Sequence, residues 1–240
     1  MFKIVELEIN SRCNRKCEYC PSATIDRAGI PEFIEEKVLM MTLNELASIQ
    51  FDGVFSFHFY NEPLLHPNIF DILRRVSVAI PNCFRLIYSN GDYLNDKVYK
   101  KLMEAGAHHL VITNHARSHV KARPNQTVKD PAELVISNRG GYLFKVETPL
   151  TNPCYGPSES LVITITGDVV LCCDDVLRKH VMGNVKYKKL KDIWNSKEFL
   201  SKRELLAKGR RSEIPLLCKY CNNLEYIEPM ANLSFGFQTL

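Results

Sequence analysis

Three cysteines, Cys13, Cys17 and Cys20, fall in a C-x3-C-x2-C pattern on one short stretch of the chain. Thiolates are soft ligands, and three of them so close together can grip one metal centre while leaving it one ligand short of a closed tetrahedral or four-iron site. An open coordination position is a place where a substrate or cosubstrate can meet the metal. A structural zinc site would supply a fourth side chain nearby, yet no His or further Cys occurs between Cys20 and His58. Farther on, Cys154, Cys172, Cys218 and Cys221 offer four more thiolates, the last two in a C-x2-C pair whose spacing suits one metal centre. Four ligands close a site, and by spacing alone structural zinc and a fully ligated iron–sulfur cluster fit equally well. Cys83 and Cys173 complete an odd total of 9. In a chain without a secretory signal that number argues for metal ligation or catalysis rather than a disulfide framework.

The elements that must position these sulfurs read as alternating strands and helices. Lys3 to Ile9 is a first strand that runs directly into the Cys13 cluster, so chemistry begins where that strand ends. Apolar Val38, Leu39, Leu43, Leu46 and Ala47 recur at helical spacing, and Gly53 to Tyr60 reads as the next strand. The rhythm repeats with a helix on Ile69, Ile72, Leu73, Val76 and Ile80, a strand at Phe84 to Ser89, a helix on Val98, Leu102 and Ala105, and a strand at His109 to Thr113. Such alternation specifies an α/β fold with a parallel sheet and helices outside, closing as a partial (β/α) TIM-like barrel whose active site lies at the carboxyl ends of the strands. Pro and Gly then thicken between Pro124 and Pro157 and the rhythm stops, which places a domain boundary near residue 145. The expected division is 1–145 and 146–240. In the second unit Leu161 to Thr166 and Val169 to Leu171 flank Gly167-Asp168 as a hairpin, and one helix runs from about Leu190 to Ala207 with Ile193, Trp194, Phe199, Leu200, Leu205 and Leu206 buried.

Composition excludes several classes. With 45% hydrophobic residues, 12 Pro and 11 Gly in 240 residues, a collagen-like, disordered or coiled-coil chain is ruled out. No apolar run approaches a membrane span, and the start MFKIVELEINSRC lacks a signal peptide's long apolar stretch, so a cytoplasmic protein with no membrane partner is expected. The formal charge is only +4, and the basic stretches Lys186 to Lys191 and Lys208 to Arg211 sit beside helix-like sequence as a solvated face would; nucleic acid is not implied.

The C-x3-C-x2-C spacing, with Tyr19 just before its last cysteine and a strand before its first, resembles the signature of the radical S-adenosylmethionine (SAM) enzymes. In that family three cysteines hold a four-iron cluster whose free iron chelates SAM, and one electron cleaves SAM to methionine and a 5′-deoxyadenosyl radical. The resemblance implies further SAM contacts: Tyr60-Asn61-Glu62-Pro63 resembles the GGEP motif, Ser89-Asn90-Gly91 the ribose-contacting segment, and His115 follows the next strand end. A cysteine, a Gly-Asp hairpin, a second cysteine, Gly183-Asn184, Asp192-Ile193-Trp194 and a final C-x2-C resemble the SPASM/twitch extension, which holds auxiliary clusters. Full SPASM domains hold two. Only Cys83 and Cys173 remain once seven cysteines are assigned, so the shorter twitch form with one auxiliary cluster on Cys154, Cys172, Cys218 and Cys221 is implied. Cys172 rather than Cys173 is the ligand, because aligning Gly167 puts Cys172 at the family's position; Cys83 reads as core.

Almost the whole chain resembles the twitch-type radical SAM dehydrogenases of aminocyclitol antibiotic assembly, through Glu8-Ile9-Asn10-Ser11, Phe57-His58-Phe59-Tyr60, Ile87 to Asp92, Ser137 to Gly141 and Val181 to Asn184. The resemblance implies oxidation of a secondary alcohol of a cyclitol, amino sugar or related polyol to a ketone, with two 4Fe-4S clusters, SAM and a flavodoxin- or ferredoxin-type electron donor. Carried over by position, Arg139 is the substrate-side arginine, Asp174 matches a substrate-contacting glutamate with Asp175 the acid after it, and Tyr88 falls on a pocket tyrosine. Arg139 stays protonated and so suits electrostatic lowering of a ketyl's pKa better than base chemistry. Cys173, where the family has a bulky aromatic, allows a second reading, a radical epimerase in which this thiol returns a hydrogen atom. A non-catalytic zinc-binding module is the remaining alternative.

Overall fold

The computed structural model describes residues 1–115 and 120–230, so residues 231–240 of the expected second unit lie outside the described residues. β1 (Ile4–Leu7), α1 (Glu36–Ser48), β2 (Val54–Ser56), α2 (Ile69–Ala79), β3 (Phe84–Ser89), α3 (Asp96–Glu104) and β4 (His109–Thr113) follow in strict alternation, and β5 (Gln126–Lys129) pairs parallel beyond β4. Neighbours in the order β1-β2-β3-β4 are all parallel. Helices form on the outer face because their apolar residues recur on one side: α1 buries Val38, Leu39, Leu43 and Leu46, and α2 buries Ile69, Ile72, Leu73 and Val76. They pack on Val5, Leu7, Ile87 and Leu110, the outward-facing positions of the strands, in one continuous core that also takes Cys83.

The hairpin beyond residue 145 continues this sheet. After the short α4 (Gly156–Glu159), β6 (Ser160–Ile163) lies parallel to β1, and β7 (Asp168–Val170) and β8 (Val181–Asn184) follow antiparallel. The order is β5-β4-β3-β2-β1-β6-β7-β8, an open barrel wall with a hairpin added at its first strand. Gly167 turns the hairpin with φ +87°, a conformation that an L side chain enters only at a cost.

Two expectations need correction. The second strand stops at Ser56 instead of reaching Tyr60, because Asn61 takes over the backbone groups a strand partner would use. Its Oδ1 accepts from Phe59 N at 2.8 Å and its Nδ2 donates to Phe57 O at 3.3 Å. The helix drawn from Leu190 to Ala207 is two, α5 (Leu190–Trp194) and α6 (Lys197–Ala207), since the Ser196 hydroxyl accepts from Phe199 N and starts a new helix. The restart changes which side faces inward. Phe199 and Leu206 are buried as expected, whereas Leu200 is 48% exposed.

Candidate active site

The loops at the carboxyl ends of β1, β2 and β3 are knitted to one another before they carry any chemistry. Asn10 is fully buried beyond β1; its Nδ2 donates to the carbonyls of Arg12 and Glu62, both at 3.1 Å, and its Oδ1 accepts from Asn61 Nδ2 at 2.6 Å. Glu62 N donates to Arg12 O at 2.8 Å, so the cysteine loop and the loop after β2 are fixed together. The Glu62 carboxylate, 2% exposed, accepts from Leu64 N (3.0 Å), Ser89 Oγ (2.8 Å) and Asn90 N (2.8 Å). Burial pushes its pKa up against those three donors. Glu62→Ala would strand all three, with an expected loss of about 3 kcal/mol in urea unfolding and a weaker grip on SAM by equilibrium binding. Stability within about 0.5 kcal/mol of the parent would contradict this role.

Cys13, Cys17 and Cys20 are free and half-buried on the loop so held. Cys13 Sγ receives N–H groups from Arg15 N at 3.4 Å and Asn90 Nδ2 at 3.8 Å, the kind of donors that favour a charged sulfur. Asp92 anchors the same loop by an ion pair with Arg15 and by accepting from Asn14 Nδ2 at 2.6 Å. The Tyr19 hydroxyl lies 3.0 Å from His115 Nδ1, the two rings stack at 5.8 Å, and Nδ1 is 3.8 Å from Cys17 Sγ. Tyr19, Asn90 and His115 therefore all surround the sulfurs. Ser89 and Glu62 stand behind them as scaffold.

Above these cysteines opens a cavity of about 390 Å³ lined by Cys13 and Cys20 at one end and by Tyr60, Tyr88, Arg139 and Cys173 around its walls. Its floor is the inner face of the strands at every second residue: Ile4 and Glu6 from β1, Val54, Ser56 and His58 from β2 and its extension, Phe84, Leu86 and Tyr88 from β3. Glu6, His58, Glu225 and Tyr226 were not singled out from the sequence. The signal was present in the alternation of VELE and SFHFY, whose polar members share the face opposite the core. His58 is held neutral, its pKa pushed down to about 4 by burial, and its ring sits 4.5 Å from that of Tyr88.

Arg139 reaches this cavity from a loop under strain. It has φ +52°, followed by Gly140 at +62° and Gly141 at +86°. A Cβ on Gly140 would stand 2.2 Å from Leu217 Cδ1, and one on Gly141 2.5 Å from Tyr220 Cβ, so only glycine lets the loop press this closely on the C-terminal unit. A left-handed arginine costs about 1 kcal/mol, and the fully buried Asn138 holds it there by donating to the carbonyls of Phe144 and Tyr220. The guanidinium lies 5.8 Å over the Tyr60 ring and 3.6 Å from Asp174, and its Nε has no partner among the described residues. Burial opposes its charge, but Tyr60, Asp174 and Cys173 more than offset that and raise its pKa.

The remaining cysteines meet on the other side of Cys173. Cys154, Cys172, Cys218 and Cys221 line one enclosed, largely apolar cavity together with Cys173, Asp174 and Arg211. Burial raises the pKa of all four thiols, that of Cys221 to about 12, and the neighbouring sulfurs add to the shift at Cys172 and Cys218. A cationic core placed among them would replace their protons and relieve that penalty. No three ligand-type side chains among the described residues close on a point suited to a single ion. Sulfurs ringing a cavity instead suit a larger inorganic core, and both cysteine groups fit iron–sulfur clusters.

Three placements differ from the sequence reading. Asp174 has its carboxylate taken up by Ser137 Oγ and Asn223 Nδ2, both at 2.8 Å, and approaches the open cavity through Arg139 and Asn223 rather than lining it. Asp175 accepts from Lys179 N and His180 N, each at 2.8 Å, which makes it the organiser of its own turn, away from the cavity. Arg211, read as part of a solvated face, is 1% exposed and donates to the carbonyls of Asn152, Pro153 and Asn223, all at 2.9 Å. It is the buried cation beside the four thiols.

Residues 7–133 match the radical SAM superfamily, and residues 154–222 match SPASM, an iron–sulfur cluster-binding domain. The chain belongs to the radical SAM superfamily. This radical SAM enzyme is 37% identical over 238 residues to the S-adenosyl-L-methionine-dependent 2-deoxy-scyllo-inosamine dehydrogenase of Niallia circulans, covering 93% of this chain and 94% of that protein. Its fold is similar to the crystal structure of BtrN in complex with AdoMet and 2-DOIA, with a TM-score of 0.87 at 34% identity over 95% of this chain and 96% of that one. To BtrN in an open conformation the TM-score is 0.79 at 31% identity, covering 94% of each chain. As a radical SAM enzyme it uses SAM with one cluster and carries a second cluster in the matched C-terminal domain. No helix among the described residues is long and apolar enough to cross a membrane.

Proposed function

We propose that this enzyme is a radical SAM dehydrogenase that oxidises a secondary alcohol of a small cyclitol, amino sugar or related polyol to a ketone. The observation that carries the reading is the shared wall. Cys173, Asn223 and Tyr226 line both the cavity that opens on Cys13 and Cys20 and the cavity ringed by Cys154, Cys172, Cys218 and Cys221. With Cys13, Cys17 and Cys20 as one ligand set and the other four cysteines as the second, the clusters and SAM supply a 5′-deoxyadenosyl radical and an acceptor for the electron left on the substrate.

The chain's own residues do the rest. Arg139, cationic and with a free Nε, holds the substrate oxygen and stabilises negative charge as the hydroxyl proton leaves. The Tyr60 hydroxyl donates to the Cys173 carbonyl at 2.8 Å and fixes the wall against which the substrate lies. Tyr88 and His58 close the floor and exclude water. Asp174 acts through Arg139, holding its guanidinium. Electrons are supplied by a flavodoxin- or ferredoxin-type donor, in the cytoplasm.

Anaerobic incubation with SAM, a strong reductant and a panel of aminocyclitols should yield 5′-deoxyadenosine together with a carbonyl product two mass units lighter than its substrate. Cys173 lines the substrate cavity as a thiol, its pKa well above the ordinary value through burial, which is the feature that favours the epimerase reading. Cys173→Ala should keep the rate of ketone formation within about threefold. An inverted carbon carrying solvent deuterium, lost in that variant, would replace oxidation by epimerisation.

A further inference from the structure

One ionisable group in the substrate cavity has no partner among the described residues. Glu6 is only 7% exposed, points from β1 into the cavity, and has no hydrogen bond or ion pair with any described residue. Its register partner Ser56 is unavailable, since that hydroxyl is directed at the Val5 carbonyl, 3.3 Å away. Glu225 lines the same cavity from its more exposed rim and adds a second carboxylate. The cavity's cation, Arg139, is already engaged by Asp174 and Tyr60. A buried carboxyl without partners is costly to retain unless something that binds there makes use of it.

We propose that Glu6, backed by Glu225 at the rim, is the receptor for a substrate ammonium, so that the alcohol oxidised at the Arg139 wall belongs to an amino-bearing polyol. This deepens the dehydrogenase reading and rests on it for the identity of the reacting group. An ammonium between the two carboxylates forms charge-assisted hydrogen bonds in a water-poor space, where they are strongest. It also fixes the ring with its amine at the β1 floor, which decides the carbinol presented to Arg139. An uncharged polyol gains none of this.

The surrounding charges agree. Burial, followed by Glu225 and Asp174, pushes Glu6 up to about 8, and the other titratable groups lining the cavity are Cys13, Cys20, Tyr60, Tyr88, Cys173, Tyr226 and a neutral His58, with Arg139, already paired to Asp174, as the cation. A bound ammonium draws the carboxyl's pKa back down, so amine binding releases a proton near neutral pH. Glutamine at this position reproduces the neutral carboxyl that burial already imposes, and Glu6→Gln should therefore fold.

The test is anaerobic titration calorimetry of the cluster-loaded, SAM-bound enzyme with 2-deoxy-scyllo-inosamine and with its counterpart bearing a hydroxyl in place of the amine. The parent should bind the amine at least about tenfold more tightly, and Glu6→Gln should erase that difference while holding the hydroxyl compound within about twofold. Glu225→Gln, at a position too exposed to threaten folding, should narrow the preference by about threefold. Equal affinities in the parent, or a Glu6→Gln variant that weakens both compounds alike, would overturn the assignment. Binding is read without turnover, which separates the two readings: amine preference without ketone formation spares Glu6 and sinks the dehydrogenase, and ketone formation without amine preference does the reverse.

Discussion

Cys17→Ala should give a folded protein with about half the iron of the parent, roughly four of eight atoms, and no detectable 5′-deoxyadenosine, a fall of at least about a thousandfold. The asymmetry follows from where the sulfurs sit. Cys17 lies on a half-buried loop whose shape is set by Asn10, Glu62 and Asp92, none of which depends on the thiol. Removing it therefore leaves the loop in place but takes away one of three ligands from a site that has no spare. The four-cysteine cavity lies elsewhere, beyond Cys173, and keeps its iron. Iron analysis, absorbance near 400 nm and chromatographic assay of 5′-deoxyadenosine check the three parts. A variant that still cleaves SAM at a tenth of the parental rate would remove Cys17 from the ligand set.

How far such placements can be read before folding depends on how local their causes are. The strands Phe84–Ser89 and His109–Thr113 were legible because each is a short apolar run bounded by turn residues. The cysteines were legible because ligand spacing is written along the chain, at least within each short group. Glu6 and His58 were missed for the opposite reason: each is one polar residue in an apolar strand, and only closure of the barrel decides whether that face meets solvent or a cavity. Arg211 shows the limit most plainly. Two of its three carbonyl partners lie 58 and 59 positions earlier, so its neighbours in the chain give no hint that it is buried. The partners of Asp174 were equally illegible: its carboxylate accepts from Ser137 and Asn223, which come from segments on either side of it.

Removing both Cys218 and Cys221 should divide radical formation from product formation. In Cys218→Ala/Cys221→Ala the Cys13 loop is untouched, so 5′-deoxyadenosine should still form in a reductant-dependent, uncoupled reaction, while ketone falls by at least about a hundredfold relative to it. Stability should suffer as well. Both sulfurs are buried, in a cavity where burial raises the pKa of Cys154, Cys218 and Cys221 and the fully buried Arg211 only partly offsets the rise. Stripping two ligands and the core they hold empties a buried cavity beside a guanidinium that keeps its three carbonyls, which costs about 3 kcal/mol and shifts the melting temperature of the anaerobic protein down by about 10 °C. Ketone formed in proportion to 5′-deoxyadenosine by the double variant would show that the oxidation needs no second electron acceptor, and the four-cysteine cavity would then be structural.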